Sequence, residues 1–420
     1  MLNRFIISAA LSLMLVTGCG DGLSTPDGLS FDNPTDADET STGTTTTTGT
    51  GTGTGTGSGS GSGIVNRATL TKLSHAPKEI PLATGGTQAL NVNWNQMISI
   101  PNASIFYSGS GAIDNKGEIY KIGTTTDTVA TSTNGEAFFA YPAISGDGRV
   151  ILHEPSNLGG ISKLNPGTLL DDPIGAVGLL FLTNLVTPDD GSLVAFVSND
   201  DPTGGNAIAD LTIFTLLTDG SFTITQVTGT RLVATALAIS GNGNVLFFSS
   251  RIDVLADGSN PSLKDQIFAI NVNGTNLRQL TDFTNQVDWV SIKSNFDGSI
   301  IAFSRGPDLH VMDTATATVT FTTDLAGAGN LVADGSGLWD MSPDATALIY
   351  NVGNTVRLNN IDGTNEELLY TVSPGLINST VFAKALELAA DNRSATLVSR
   401  TGHGLTAADE NRTQVYRLSW

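Results

Sequence analysis

A short recurring phrase constrains the fold of this chain more than any other feature. The phrase is a small residue or proline, then Asp or Asn, usually Gly, and then an apolar run that often ends in Ser. Ser240-Gly241-Asn242-Gly243, followed by Val245–Ser250, is a clear copy. Asp-Gly and Asn-Gly supply the positive φ that a tight hairpin turn needs. Each copy therefore predicts a pair of antiparallel strands.

The spacing of the copies indicates the architecture. One Asp or Asn per copy serves as a marker, and successive markers lie 45, 43, 52, 55, 47 and 47 residues apart: Asn102, Asp147, Asp190, Asn242, Asp297, Asp344 and Asp391. Periods of about 40–55 residues with four strands each are typical of propeller blades. The sequence therefore predicts an all-β fold over residues 64–420, a seven-bladed β-propeller of four-stranded antiparallel blades.

Two segments carry a specific family resemblance. Residues 266–281, with the sequence QIFAINVNGTNLRQLT, resemble the third and fourth strands of a TolB-type propeller repeat, and residues 360–365 (NIDGTN) repeat its hairpin. The chain thus resembles the TolB-like, WD40-like repeat family over most of residues 64–420, which implies a propeller. TolB itself has an α/β domain ahead of its propeller, and this chain has a low-complexity segment there. The resemblance therefore does not extend to TolB's own role.

The two ends of the propeller predict how the ring closes. After the last marker, residues 414–420 match the third strand of a blade. The last blade would then lack its fourth, outer strand. Residues 67–74 are similar to the fourth-strand segment at 276–282. We therefore expect residues 67–74 to supply the outer strand of the last blade, which would leave no sheet edge exposed.

The N-terminus predicts export and lipidation. Arg4 precedes an apolar run from residue 5 to 16, which is too short to cross a ~30 Å membrane core but typical of a signal peptide over residues 1–18. The run ends in Leu-Val-Thr-Gly-Cys19, which resembles a bacterial lipobox and implies that Cys19 is lipidated; an ordinary secretory signal with a chance cysteine is the alternative. Gly20, rather than Asp, follows the cysteine, which by resemblance to enterobacterial lipoprotein sorting argues against retention in the inner membrane. We expect a cell-envelope protein, lipid-anchored in the outer membrane and facing the periplasm or the outside.

Residues 19–63 predict a disordered tether. They show no hydrophobic periodicity, and residues 44–63 are almost pure Thr, Gly and Ser. Such a segment cannot bury enough apolar surface to offset its ordering entropy. As a coil it would span about 35–40 Å.

The charge of the propeller excludes two classes of ligand. Residues 64–420 hold 34 acidic and 19 basic side chains, with no basic cluster. Nucleic acid and anionic membrane surfaces need a positive surface. We therefore expect no nucleic-acid partner, and membrane contact through the lipid anchor only.

Catalytic and metal motifs are sparse. No G-x-S-x-G occurs, and the four histidines lack the short spacing of metal ligands: His75, His153, His310 and His403. Separated histidines can still meet on a propeller axis, as in the TolB-like lyases of pectic fragments, which bind a metal in this way. We predict no catalytic residue and no resident cofactor, with such a lyase as an alternative.

Long polar loops follow the second strand in three blades, at residues 199–210, 251–265 and 400–413. In a blade of alternating strands these loops share one rim, so they form the predicted binding face, with candidate residues Asp201, Asp257, Asn260, Asp265, Asp409 and Glu410. Their oxygen atoms suit Ca²⁺, although Asp and Asn also cap their own turns. The sequence predicts a non-enzymatic module that binds an envelope or extracellular protein. Calcium-dependent, small-ligand or carbohydrate recognition is the alternative.

Overall fold

The computed structural model describes much of residues 67–420. The described ranges are 67–73, 79–81, 87–89, 92–99, 105–110, 117–122, 128–129, 142–153, 161–168, 171–174, 183–198, 212–221, 223–228, 234–261, 263–285, 290–325, 339–352, 355–371, 385–389, 391–399 and 414–420. The predicted signal peptide, Cys19 and the tether lie outside them. In the described part of the chain, no helix is long and apolar enough to cross a membrane.

The described chain is an all-β propeller of four-stranded antiparallel blades. Three blades come first among those with described side chains: β8 (Ala143–Ile144), β9 (Ile151–His153), β10 (Ser162–Leu164) and β11 (Asp171–Pro173); β12 (Thr183–Val186), β13 (Leu193–Ser198), β14 (Thr212–Leu217) and β15 (Ile224–Gln226); β16 (Ala234–Ile239), β17 (Val245–Ser250), β18 (Gln266–Asn271) and β19 (Arg278–Gln279). Within each blade, neighbouring strands in the chain are neighbours in the sheet.

Three further blades follow the same plan. They are β20 (Val290–Ser294), β21 (Ile300–Arg305), β22 (Asp308–Asp313) and β23 (Thr318–Asp324); β24 (Trp339–Met341), β25 (Ala347–Val352), β26 (Thr355–Asn360) and β27 (Glu367–Thr371); and β28 (Ala385–Leu388), β29 (Ser394–Ser399) and β30 (Gln414–Ser419), completed by β1 (Thr69–Lys72). Six blades therefore carry described side chains, one fewer than the seven that the markers predict.

The remaining described strands are defined by their backbone alone. β4 (Val92–Ser99), β5 (Ile105–Ser110), β6 (Gly117–Lys121) and β7 (Thr128–Val129) form another four-stranded antiparallel sheet, and β2 (Glu79–Pro81) pairs with β3 (Thr87–Ala89). β4 lies beside β28, so this sheet adjoins the blade that ends the chain.

The recurring phrase builds the turn between the first and second strands. The Ser145 hydroxyl donates to Asp147 Oδ1 at 2.7 Å and accepts from the amides of Arg149 and Val150 at 3.2 and 3.1 Å. Gly148, which follows Asp147 in the turn, has a φ of 69°. Glycine adopts this left-handed conformation readily, which explains why the phrase contains a glycine at this position. Ser240 and Ser342 make the same contacts in their blades.

These turns also connect neighbouring blades. The amide of Asp147 donates to the Asp189 carbonyl, and the amide of Asp189 donates to the Gly241 carbonyl, both at 2.8 Å. The Asn242 amide donates to the Phe296 carbonyl at 2.8 Å, and the Phe296 amide to that of Pro343 at 3.3 Å. The first strand of each blade is its inner strand. The turns that follow these inner strands therefore form a hydrogen-bonded arc from blade to blade.

The core lies between the blades. Phe196 and Phe214 stack at 5.9 Å in one blade, and Phe248 and Phe268 stack at 5.5 Å in the next. Each apolar cluster draws residues from two adjacent blades. The blades consequently stabilise one another by burying their faces, which no single four-stranded sheet could do alone.

An N-terminal strand completes the last blade. β1 pairs antiparallel with β30, with Leu70 opposite Leu418. Leu70 points into the core while Thr69 and Thr71 face solvent. The Ala68 amide donates to the Leu369 carbonyl of the neighbouring blade at 3.0 Å. The first and last described strands of the propeller are therefore held in one sheet.

Candidate functional site

The loop 251–265 connects β17 to β18 and contains three of the predicted binding-face residues. It leaves the blade on the rim opposite the Ser240 turn, because β17 runs from that turn to the loop. Within the loop, Asp257 is exposed, whereas Asn260 and Asp265 are buried. Only Asp257 of these three side chains therefore lies on the surface.

Asn260 holds the loop together from the inside. Its side chain is 1% exposed, and its Nδ2 donates to the carbonyls of Arg251 at 3.0 Å and Lys264 at 2.8 Å. Its Oδ1 accepts from the Lys264 amide at 3.1 Å. The Asn260 side chain thus connects Arg251, the first residue of the loop, to Lys264 near the end of the loop.

Asp265 acts at the base of the loop. Its two carboxylate oxygens accept from Nε of Arg251 at 3.2 and 3.1 Å. Asp265 is almost fully buried, so this ion pair is shielded from solvent on the carboxylate side. The pairing of a buried charge, rather than partner contact, explains an acidic residue at this position.

The outer part of the loop is shaped by its own amides. Asp253 Oδ2 accepts from the Gly258 amide at 2.8 Å, and Asp257 Oδ1 accepts from the Ser259 amide at 2.9 Å. Hydrogen bonds from Ser259 also lower the pKa of Asp257. These contacts account for the turn without a bound ion, because each carboxylate satisfies backbone donors of the loop.

Leu263 is a large apolar residue that is exposed to solvent in the described part of this loop. It is 60% exposed and has a φ of 51°, in the left-handed region that a branched, bulky residue rarely adopts. The Leu263 amide donates to the Asn260 carbonyl at 3.2 Å. The same residue that fastens the loop therefore fixes the position of an exposed leucine.

The other predicted site residues lie in two further loops and near the N-terminus. Asp201, Asp409, Glu410, His75 and His403 lie outside the described residues, as does Cys19. The loops 199–210 and 400–413 fall outside them as well.

The two described histidines lie within blades. His153 is buried in β9, and His310 in β22 places its Nδ1 2.9 Å from Thr322 Oγ1, with its ring centroid 5.0 Å from that of Phe303. Burial lowers the pKa of His310. Neither of these two histidines lines the cavity described next.

A cavity of about 340 Å³ lies between the inner strands of the six blades. Its lining comes from β8, β12, β16, β20, β24 and β28 and from the turns that follow several of them. One position of the repeat, two residues before each turn, contributes a lining residue from every blade: Ala143, Val186, Ala238, Lys293, Asp340 and Glu387. The cavity is thus apolar along one arc and charged along the other.

An ion pair connects three blades within the charged arc. Lys293 Nζ in β20 donates to Asp340 Oδ1 in β24 at 2.5 Å, and Asp340 Oδ2 accepts from the Leu388 amide in β28 at 2.6 Å. Burial lowers the pKa of Lys293, but the charges of Asp340 and Glu387 outweigh it, and the net effect is a raised pKa. Lys293 therefore stays protonated.

Asp189 is a fourth charged residue of the cavity lining. It lies in the turn between β12 and β13, where the cavity meets the turns of the blades. It occupies the turn position that holds Gly146 and Gly241 in the adjacent blades, and its carboxylate packs against both. A Cβ atom on Gly146 would lie 2.4 Å from Asp189 Oδ1, and one on Gly241 would lie 2.6 Å from Oδ2. Burial, followed by repulsion from Asp147 and Asp190, raises the pKa of Asp189.

The sequence carries a signal for this site in the repeat as a whole and not in any short motif. The markers alone fix the repeat position two residues before each turn, and three consecutive copies there carry Lys, Asp and Glu in place of Ala or Val. A charge on an inner strand is uncommon unless it is paired or faces a cavity. Alignment of the copies would have placed these three residues together.

Comparisons with known proteins identify the fold. No protein-family model and no curated protein matches the sequence. Among solved structures, an oligogalacturonate lyase in complex with manganese aligns with a TM-score of 0.52 and 11% identity, covering 84% of this chain and 98% of that chain. The oligogalacturonate lyase of Vibrio parahaemolyticus aligns with a TM-score of 0.53 and 11% identity, covering 84% and 96%.

A TolB-type protein of Agrobacterium tumefaciens aligns with a TM-score of 0.42 and 16% identity, covering 70% of this chain and 94% of that chain. At these identities the likeness concerns the fold. Among the residues that the structure describes, no three His, Cys, Asp or Glu side chains converge on a metal-sized site.

Proposed function

We propose that this protein is an envelope-anchored recognition module whose propeller binds a protein partner and catalyses no reaction. Cys19 would be lipidated and residues 19–63 would tether the propeller to the outer membrane, facing the periplasm or the outside. We also propose that β4–β7 forms a seventh blade, which the backbone pairing of that sheet and its place beside β28 support.

The observation that carries the binding proposal is the preorganised loop 251–265. Asn260 and the Arg251–Asp265 pair fix its conformation, while Leu263 remains 60% exposed. A rigid loop loses little conformational entropy on binding, and backbone strain that the surroundings hold in place is concentrated at active sites and ligand-binding sites. Asp257 beside it would favour a basic rim on the partner.

The lyase alternative has less support from the site. The manganese belongs to the oligogalacturonate lyase structure, and a sequence identity of 11% does not support assigning that protein's chemistry to this chain. In this chain, neither His153 nor His310 lines the cavity between the inner strands. We therefore propose binding, not turnover.

Affinity purification of the full-length protein from membrane extract tests the proposal. A specific envelope protein should copurify with the wild type and be lost with Leu263→Ser. Val319→Ser is the matched control, because Val319 is also an exposed apolar residue, on the outer strand β23. Equal recovery with Leu263→Ser and Val319→Ser would contradict the proposal, as would turnover of a pectic polysaccharide by the purified protein.

A further inference from the structure

One arginine occupies a repeat position that is small or apolar in the other described blades. The position lies eight residues after a marker, at the end of the second strand, and its described copies are Ser198, Ser250, Arg305, Val352 and Ser399. The second strands β17 and β21 both run away from their marker turns, so Arg305 lies on the same rim as the loop 251–265. We call this rim the loop face. Among the described copies of this position, Arg305 alone places a charge there.

Two contacts hold the guanidinium of Arg305 in place. Its central carbon lies 4.0 Å from the centroid of the Phe283 ring, and its Nη2 donates to the Asn285 carbonyl. The buried side chain of Gln266 fixes Phe283 in turn, because it accepts from the Phe283 amide at 2.9 Å and donates to the Phe283 carbonyl at 2.8 Å. A cation stacked on an aromatic ring that is itself fixed is preorganised for binding.

The positive charge of Arg305 is only partly compensated. The charges of Asp308 and Asp265 act on it, but among the described residues no carboxylate forms an ion pair with Arg305. Asp265 pairs with Arg251 instead. Burial lowers the pKa of Arg305, and the two carboxylates raise it by less, whereas the pKa of the paired Lys293 is raised. The guanidinium therefore has unused capacity to bind an anion.

The geometry and the surrounding charges select the kind of anion. In the described part of the chain only Nη2 of Arg305 donates to an acceptor, so most of its five N–H donors are available to a ligand. A guanidinium presents these donors as a planar fork that matches the two oxygens of a carboxylate. A phosphate dianion would meet about twice the repulsion from Asp265 and Asp308. The site therefore favours a carboxylate with a single charge.

We propose that Arg305 binds a carboxylate at the loop face, and that this carboxylate is a Glu or Asp side chain of the protein partner. The second part rests on the proposed function. Leu263 lies two residues before Asp265, whose charge acts on Arg305, so one partner can contact both side chains. The partner would then present an acidic residue to Arg305 and an apolar residue to Leu263.

Nuclear magnetic resonance of the arginine Nε–Hε groups of the full-length protein tests the carboxylate site. Arg305→Lys removes the Arg305 signal and so assigns it. N-acetyl-glutamate methylamide should shift this signal saturably, and N-acetyl-glutamine methylamide at the same ionic strength should not. Arg149 is the control in the same spectrum, because its side chain is 84% exposed in a turn on the opposite rim. Equal shifts with the two compounds, or equal shifts of the two arginines, would overturn the proposal.

Photo-crosslinking from position 263 in intact cells separates a protein carboxylate from a free one. Arg305→Gln should reduce the protein adduct at least fivefold, and Arg149→Gln should leave it unchanged. Should Arg305→Gln fold poorly, Arg305→Lys replaces it, because lysine keeps the charge without the planar fork. An adduct that the Arg305 variant leaves unchanged would overturn the assignment to the partner. The absence of any adduct in the wild type would contradict the proposed function, while the titration with the glutamate compound decides the carboxylate site by itself.

Discussion

Closure of the last blade by β1 makes a quantitative prediction about Leu70. This side chain is 9% exposed and packs in the cluster that contains Leu369, Tyr416 and Leu418. Leu→Ala substitutions in cores cost about 2–5 kcal/mol. β1 is an outer strand whose neighbours can relax, so we expect Leu70→Ala to cost about 2–3 kcal/mol, the lower part of that range.

Urea denaturation followed by tryptophan fluorescence measures this loss, and calorimetry should show a fall in melting temperature of roughly 5 °C for a domain of this size. Thr71→Ala is the matched control, because Thr71 is adjacent in the same strand and exposed. Its expected cost is below about 0.5 kcal/mol, the usual range for exposed positions. Equal losses for the two variants, or no loss for Leu70→Ala, would refute the assignment of β1 to the core of the last blade.

Three further predictions concern the loop and the cavity. Asn260→Ala should leave carbonyls of the loop without donors, cost about 2 kcal/mol locally, and speed amide exchange over 252–264 roughly 30-fold, whereas Asp257→Ala should not. Asp189→Asn should stabilise the propeller near neutral pH by roughly 0.5 kcal/mol, the scale of a partly exposed charge interaction. Because the pKa of Asp189 is raised in the folded state, the wild type gains stability as the pH falls through that pKa towards 3.8. The melting temperatures of the wild type and of Asp189→Asn should therefore converge in acid. A difference that stays constant with pH would contradict this reasoning. Gly241→Ala should lower the melting temperature, because an added Cβ would lie 2.6 Å from Asp189 Oδ2, while Gly167→Ala, where an added Cβ meets only the Asn165 side chain at 3.3 Å, should not.

Much of the architecture was predictable because turn chemistry is local. Asp-Gly and Asn-Gly phrases fix the hairpins, and the described turns at Ser145, Ser240 and Ser342 use the residues that the pattern contains. Even the exceptions obey the same geometry: Ala345 and Asn392 take a positive φ where other copies have glycine. The similarity of 67–74 to a fourth strand is likewise local, and residues 69–72 pair with β30.

The site was less predictable because its residues meet only across blades. Asn260 and Asp265 have the composition of a ligand-binding loop, but their polar groups are satisfied within the loop, which spacing along the chain cannot reveal. Lys293 and Asp340 lie 47 residues apart and touch only because the repeat brings equivalent positions to the axis. Motif searches that look for short spacings therefore pass over them.

Site-specific photo-crosslinking in intact cells tests the central claim, recognition of a protein through the loop face, most directly. A photoreactive amino acid at position 263 should give a discrete protein adduct that an equivalent probe at position 319 does not give. Asn260→Ala, which unfastens the loop without changing the probe, should reduce that adduct. No adduct specific to position 263, or equal adducts from both positions, would contradict the account.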